Sequence, residues 1–126
     1  MEEYRRIVVD NEHYYGKHLI ASFKRCNPNI IDKKALADFL HQLAIDIEMQ
    51  PFGQPIVERF GEGIEIGISG VQLIETSAIT VHTNDMARDL YLDVFSCKDF
   101  DPEDVLQFVK ERFAPEEASH KVLLRS

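Results

Sequence analysis

The chain of 126 residues carries 14 Lys and Arg against 22 Asp and Glu, a formal net charge of −8. Such a negative field disfavours nonspecific binding to nucleic acid or an anionic membrane, where phosphates are neutralised by clustered cations. Hydrophobic content of 44% and charged content of 29% fit one globular domain over residues 1–126 and exclude disordered and collagen-like classes.

No apolar run approaches the roughly 18 residues of a membrane helix. The opening MEEYRRIVVDNEHYY lacks the long apolar stretch of a secretory signal, so a cytoplasmic location is expected. Cys26 and Cys97 are then expected as reduced thiols rather than as a disulfide.

After a polar N-terminal arm, HLIASF (His18 to Phe23) reads as the first strand, and RCNPNII supplies turn signals. Asp32 is placed to cap a helix in which Leu36, Phe39, Leu40, Leu43 and Ile47 recur every three or four residues. Pro51 and Gly53 end that pattern. QPIVERF is the next strand, and GEGIEIGISG reads as a glycine-rich loop. VQLIET and ITVHT follow as short strands separated near Ser77 and Ala78, then DLYLDVFS as a further strand. Asp101 and Pro102 start a second helix with Val105, Phe108 and Val109 on its apolar face; Pro115 stops it, and HKVLLRS forms an edge strand. The order β-α-β-β-β-β-α-β predicts an α+β fold, a two-layer sandwich with two amphipathic helices on one face of a mostly antiparallel sheet.

Alternation along the strands sends Ile79 and Val81 to one side and His82 to the other. If the helices cover the aliphatic side, the opposite side carries His82, Tyr91, Asp93, Phe95 and Cys97, a mixture suited to a cleft or a subunit interface. Asp93 is placed to orient His82, to form an interface ion pair or to cap a loop. His13, His18, His41, His82 and His120 are dispersed, with no HExxH or CxxC pairing, and no metal site is expected. GEGIEIGISG lacks the Lys-Ser/Thr ending of a phosphate-binding loop. Residue pattern alone leaves Ser77, His82 and Cys97 either as one site or as three unconnected residues.

Taken jointly, YGKHLIASFKRCNP, GISGVQLI, SAITVHT and LDVFSCKDFDPEDVLQFV resemble the small bacterial and archaeal S-adenosylmethionine decarboxylases. The likeness runs from about Tyr15 to Phe113. It implies a pyruvoyl-dependent enzyme of polyamine synthesis, made as a proenzyme and working as a homodimer. Ser77 matches the serine that cleaves the Thr76–Ser77 bond and becomes the covalently bound pyruvoyl group, whose ketone forms a Schiff base with the substrate amine. His82 matches the histidine that assists processing, and Cys97 the acid that protonates the substrate α-carbon after CO₂ leaves.

The chain also departs from that family pattern. Thr76 stands where Glu is usual, with Glu75 one position earlier; Ala78 replaces His, and Met86 replaces an acidic residue associated with ribose binding. The aromatic residue that holds adenine falls at Gly63, leaving Phe60 as the substitute if the GEG insertion folds outward. The resemblance therefore implies S-adenosylmethionine or a related cationic amino acid as substrate. Another basic amino acid, or a nonprocessing homologue that binds without catalysis, are the alternative readings.

Overall fold

A computed structural model describes residues 2–126. Its main sheet has six strands: β3 (Gly16–Lys24), β4 (Ile56–Phe60), β5 (Gly67–Ile74), β6 (Ser77–Asn84), β7 (Asp89–Ser96) and β8 (Glu117–Arg125). They lie in the order β4-β5-β6-β7-β3-β8, every neighbouring pair antiparallel. Helices α1 (Lys33–Asp46) and α2 (Pro102–Phe113) supply the second layer. The expected α+β two-layer sandwich is the architecture observed.

Both helices start as the sequence predicts. The Asp32 carboxylate accepts from the Lys34 and Ala35 N–H groups at 2.9 and 3.3 Å, and that of Asp101 from Glu103 N–H at 2.9 Å. These bonds satisfy donors that have no partner within the helix. Ala114 takes a left-handed conformation, φ 44°, and ends α2 just before Pro115. The apolar stripe of α1 is buried from Leu36 to Ala44, and Phe39 lies 5.7 Å from Phe108 and 5.0 Å from Phe113, ring centre to ring centre. Those rings join the two helices above Leu19, Phe23, Ile79, Val81, Leu92 and Val94 of the sheet.

Three features differ from the sequence reading. The N-terminal arm contains a small hairpin, β1 (Ile7–Val9) and β2 (Glu12–Tyr14), whose turn residues Asp10 and Asn11 have φ of 50° and 67°. Two consecutive left-handed residues are what a tight two-residue hairpin turn requires, and Asp and Asn tolerate that conformation. Next, β5 begins at Gly67, inside the supposed glycine-rich loop. A Cβ on Gly67 would lie 1.7 Å from the Thr83 carbonyl oxygen, so this glycine permits close strand approach. Finally, the break between β5 and β6 falls at Glu75–Thr76, not near Ser77 and Ala78; Ile74 pairs with Ser77, and β6 starts at that serine.

The other face of the sheet has no helix. Ile20, Ile56, Phe60, Leu73, Tyr91 and Leu123 are all exposed large apolar or aromatic residues, and their strand registers place them on that side. No helix among the described residues is long and apolar enough to cross a membrane. Core packing is tested by urea denaturation: Phe39→Ala is expected to cost about 3–5 kcal/mol, the range for deleting a buried ring. Phe52→Ala, whose ring is 71% exposed, is expected to change stability by less than about 0.5 kcal/mol.

Candidate functional site

At one end of the sheet, the turn from β5 to β6 meets the chain leaving β7. Ser77 faces Ser96 across β6 and β7, which puts Cys97 one residue past that pair. The Cys97 N–H donates to Ser77 Oγ at 3.3 Å, and Cys97 Sγ lies 2.9 Å from Thr76 Oγ1. The structure thus brings Thr76, Ser77 and Cys97 together although 20 residues separate the serine from the cysteine. Glu75 sits in the same turn, held by its N–H bond to the Gln50 carbonyl at 3.1 Å. A cavity of about 350 Å³ opens here, lined by Arg6, Glu48, Gln50, Glu75, Thr76, Ser77 and Lys98 among others.

The turn itself is strained. Thr76 has φ 67°, in the left-handed region. A β-branched side chain is rarely found there, because its Cβ crowds the backbone; such a residue costs on the order of 1–3 kcal/mol. The strain lies on the residue whose carbonyl precedes Ser77.

Cys97 is buried yet surrounded by polar groups. Burial pushes its thiol up, but the Thr76 hydroxyl and the Arg6 guanidinium, 3.5 Å from the sulfur, outweigh it and leave the thiol below its ordinary value. Cys26 is the contrast: burial, then the negative charge of Asp89, pushes it up to about 11. Both cysteines are free.

His82 and Phe60 lie elsewhere. His82 is five residues along β6 from Ser77, about 16 Å at roughly 3.3 Å per residue. An odd separation also turns the two side chains to opposite faces. On the open face, His82 Nδ1 is 3.1 Å from Ser69 Oγ, its cross-strand neighbour. Phe60, Glu58, Ser69 and His82 line a second, shallower cavity of about 270 Å³. Gly61, Glu62 and Gly63 are exposed, so the insertion does fold outward and leaves Phe60 on this wall. Met86 is exposed in the turn between β6 and β7. Asp93 does not orient His82: its carboxylate pairs with His18 at 3.0 Å. Cys97 lies beyond the end of β7 rather than on the open face beside His82. Among the described residues, no three His, Cys, Asp or Glu side chains converge as metal ligands.

Sequence reading passed over Arg6 and Ser69. Ser69 was recoverable: once the hairpin turn is set at Glu75–Thr76, register places it opposite His82. Arg6 has no such signal, because the N-terminal hairpin carries it to Cys97 from 91 residues away.

These features define a small α+β two-layer sandwich with a serine at a left-handed hairpin turn, its hydroxyl beside the cysteine that follows β7. The chain belongs to the S-adenosylmethionine decarboxylase family, whose model matches residues 17–126. An S-adenosylmethionine decarboxylase proenzyme from Thermodesulfovibrio yellowstonii is 33% identical over 100 residues, covering 78% of this chain and 71% of that protein. One from Clostridium kluyveri is 29% identical over 99 residues, covering 78% of this chain and 76% of that protein. The crystal structure of the adenosylmethionine decarboxylase from Aquifex aeolicus superposes with a TM-score of 0.74 at 19% identity, covering 90% of this chain and 92% of that one.

The two cysteines give a direct check on the site's electrostatics. At pH 8, iodoacetamide is expected to label Cys97 well before Cys26, because only the thiolate reacts and Cys26 is held protonated. Peptide mass mapping over a time course measures the order of labelling.

Proposed function

We propose that this chain is a proenzyme that cleaves itself between Thr76 and Ser77 and then decarboxylates S-adenosylmethionine. The observation that carries the reading is the contact of Ser77 Oγ with the Cys97 N–H, beside the strained Thr76. Ser77 Oγ attacks the Thr76 carbonyl carbon; a C–O ester bond forms as the C–N bond breaks. Loss of the ester oxygen with its acyl group leaves a double bond in residue 77, and water then releases ammonia. The product is a new carboxylate on Thr76 and a ketone at the start of the second chain. The disfavoured backbone conformation of Thr76, next to the bond to be broken, favours the first step, because cleavage frees that residue to relax. Metal ligands have no part in this scheme.

The pyruvoyl ketone supplies an electron sink that joins the substrate amine and accepts the electron pair left when CO₂ departs. Cys97 is the acid that returns a proton to the substrate carbon, a role for which a positioned thiol is suited. Glu75 and Glu48 line the cavity and favour the cationic amine and sulfonium of the substrate.

Neither cavity is complete alone. The one at Ser77 has that serine and Thr76 but no aromatic ring in its lining; the one at His82 has Phe60 and Glu58 but not Ser77. A sulfonium is attracted to an aromatic face. In this reading two copies associate as a homodimer that buries exposed apolar residues of the open face, and His82 and Phe60 of one copy reach the sheet end at Ser77 of the other. His82 then assists processing across the interface, which the distance along β6 forbids within one chain. The reading places the protein in polyamine synthesis, in the cytoplasm.

Intact-protein mass spectrometry after prolonged incubation tests the cleavage. Two fragments divided before residue 77, with a pyruvoyl mass on the second, are expected; an unchanged full-length mass favours the nonprocessing alternative. Ser77→Ala is expected to stay whole, whereas Cys97→Ala is expected to cleave and lose roughly 10²-fold or more in turnover. CO₂ release from S-adenosylmethionine is compared with release from ornithine and arginine, which would reveal another basic amino acid as substrate. The interface reading has its own test. Co-refolded Ser77→Ala and His82→Ala chains are expected to regain cleavage in the His82→Ala chain alone, because the other copy supplies the histidine. Persistent silence of that mixture would remove His82 from processing in trans.

A further inference from the structure

The N-terminal hairpin precedes the segment matched by the family model, yet it reaches the site. Ile7 is 1% exposed and is buried outside the contiguous core cluster, so it anchors the hairpin separately. At the other end of the hairpin, the Tyr15 N–H donates to the Arg125 carbonyl at 2.6 Å, and the Tyr15 ring lies 6.1 Å from Phe95. Between these two anchors the chain doubles back, which fixes the residue just before Ile7. That residue is Arg6, whose Nη2 donates to Cys97 Sγ at 3.5 Å.

Arg6 differs from three other arginines in having no carboxylate partner. Arg5 pairs with Glu3, Arg25 with Glu116 and Glu117, and Arg59 with Asp85. Among the described residues, no carboxylate lies within ion-pair distance of Arg6. The other charged groups lining the cavity are Glu48, Glu75 and Lys98, and the Lys98 ammonium is occupied by the Glu48 carbonyl oxygen at 2.7 Å. An arginine left without a carboxylate and aimed at a sulfur is arranged to meet negative charge on that sulfur.

We infer that Arg6 is a positioning residue for the decarboxylation, carried by the N-terminal hairpin to stabilise the thiolate that Cys97 becomes when it gives up its proton. This rests on the reading of Cys97 as the proton donor. In the step, the Cys97 S–H bond breaks and a C–H bond forms on the substrate carbon that has lost CO₂. The electron pair of the S–H bond stays on sulfur, opposite the Arg6 guanidinium, and water later restores the proton. The cation therefore acts most strongly after the proton has begun to move, which lowers the barrier rather than only tightening substrate binding.

The test uses the full chain and Arg6→Gln, Arg6→Lys and Cys97→Ser variants. Thiolate absorbance near 240 nm, taken as the difference from Cys97→Ser, titrates Cys97 without requiring activity. The midpoint of Arg6→Gln is expected to move to higher pH than in the parent chain, and Arg6→Lys to restore most of the difference. Cleavage is expected to persist in Arg6→Gln. Its kcat is expected to fall about tenfold with KM little changed, the scale of losing one hydrogen bond to a charged group. The alkaline limb of its pH–rate profile is expected to move up with the thiol. A folded Arg6→Gln chain with an unmoved thiol midpoint overturns the inference. So does a raised KM at unchanged kcat, which would assign Arg6 to the substrate carboxylate. Failure of the decarboxylase reading is distinguishable: the parent chain would then stay uncleaved while the Arg6-dependent shift of the thiol remained.

Discussion

Everything at the reactive end of the molecule depends on the two-residue connection between β5 and β6. Joining antiparallel strands so tightly forces Thr76 to φ 67°, a conformation its branched side chain disfavours. The same connection pairs Ile74 with Ser77, and from that pair the register of the hairpin follows without further freedom. That register puts Ser69 opposite His82, while the separate register of β6 with β7 puts Ser77 opposite Ser96, with Cys97 immediately beyond. Packing sustains it: Ile74 and Ile79 on either side of the turn are buried in the core, and slipping the register by one residue would expose both.

The strict alternation of side chains in a strand divides the chemistry between two sides of the sheet. Ser77 shares parity with Ile79 and Val81, and His82 with Ala78 and Thr80. The helices cover the first set. The second set looks out from a sheet face that still carries exposed aliphatic and aromatic groups. A sheet with one uncovered apolar face is an unfinished sandwich, and a second copy is the simplest completion of it. The proposed dimer would bury that open face.

The environment of Cys97 follows from competition between desolvation and polar contact. A buried thiol ordinarily becomes less acidic, as Cys26 does. At Cys97 the Thr76 hydroxyl and Arg6 reverse that tendency. Thr76 thus carries the disfavoured backbone conformation before Ser77 and also contacts the Cys97 sulfur.

The sequence by itself determined the layers. Both helices were readable from their caps and apolar spacing, because Asp32 and Asp101 satisfy neighbouring N–H groups and periodicity is local. The alternation of β6 and β7 was readable for the same reason, whereas Ser77, His82 and Cys97 were joined as a candidate trio only through family likeness. Local pattern did not reveal the hairpin in the N-terminal arm, whose Asp10–Asn11 turn lacks the expected glycine, nor the start of β5 at Gly67, where a close strand approach requires the residue. Tertiary structure alone decided which members of the trio meet. Hydrogen-bond register and strand parity put Cys97 against Ser77 and turned His82 away, and the return of the N-terminal hairpin set Arg6 on the sulfur. Such contacts join residues far apart in the chain, so they are fixed by the packing of whole elements and leave no mark in any short stretch of sequence.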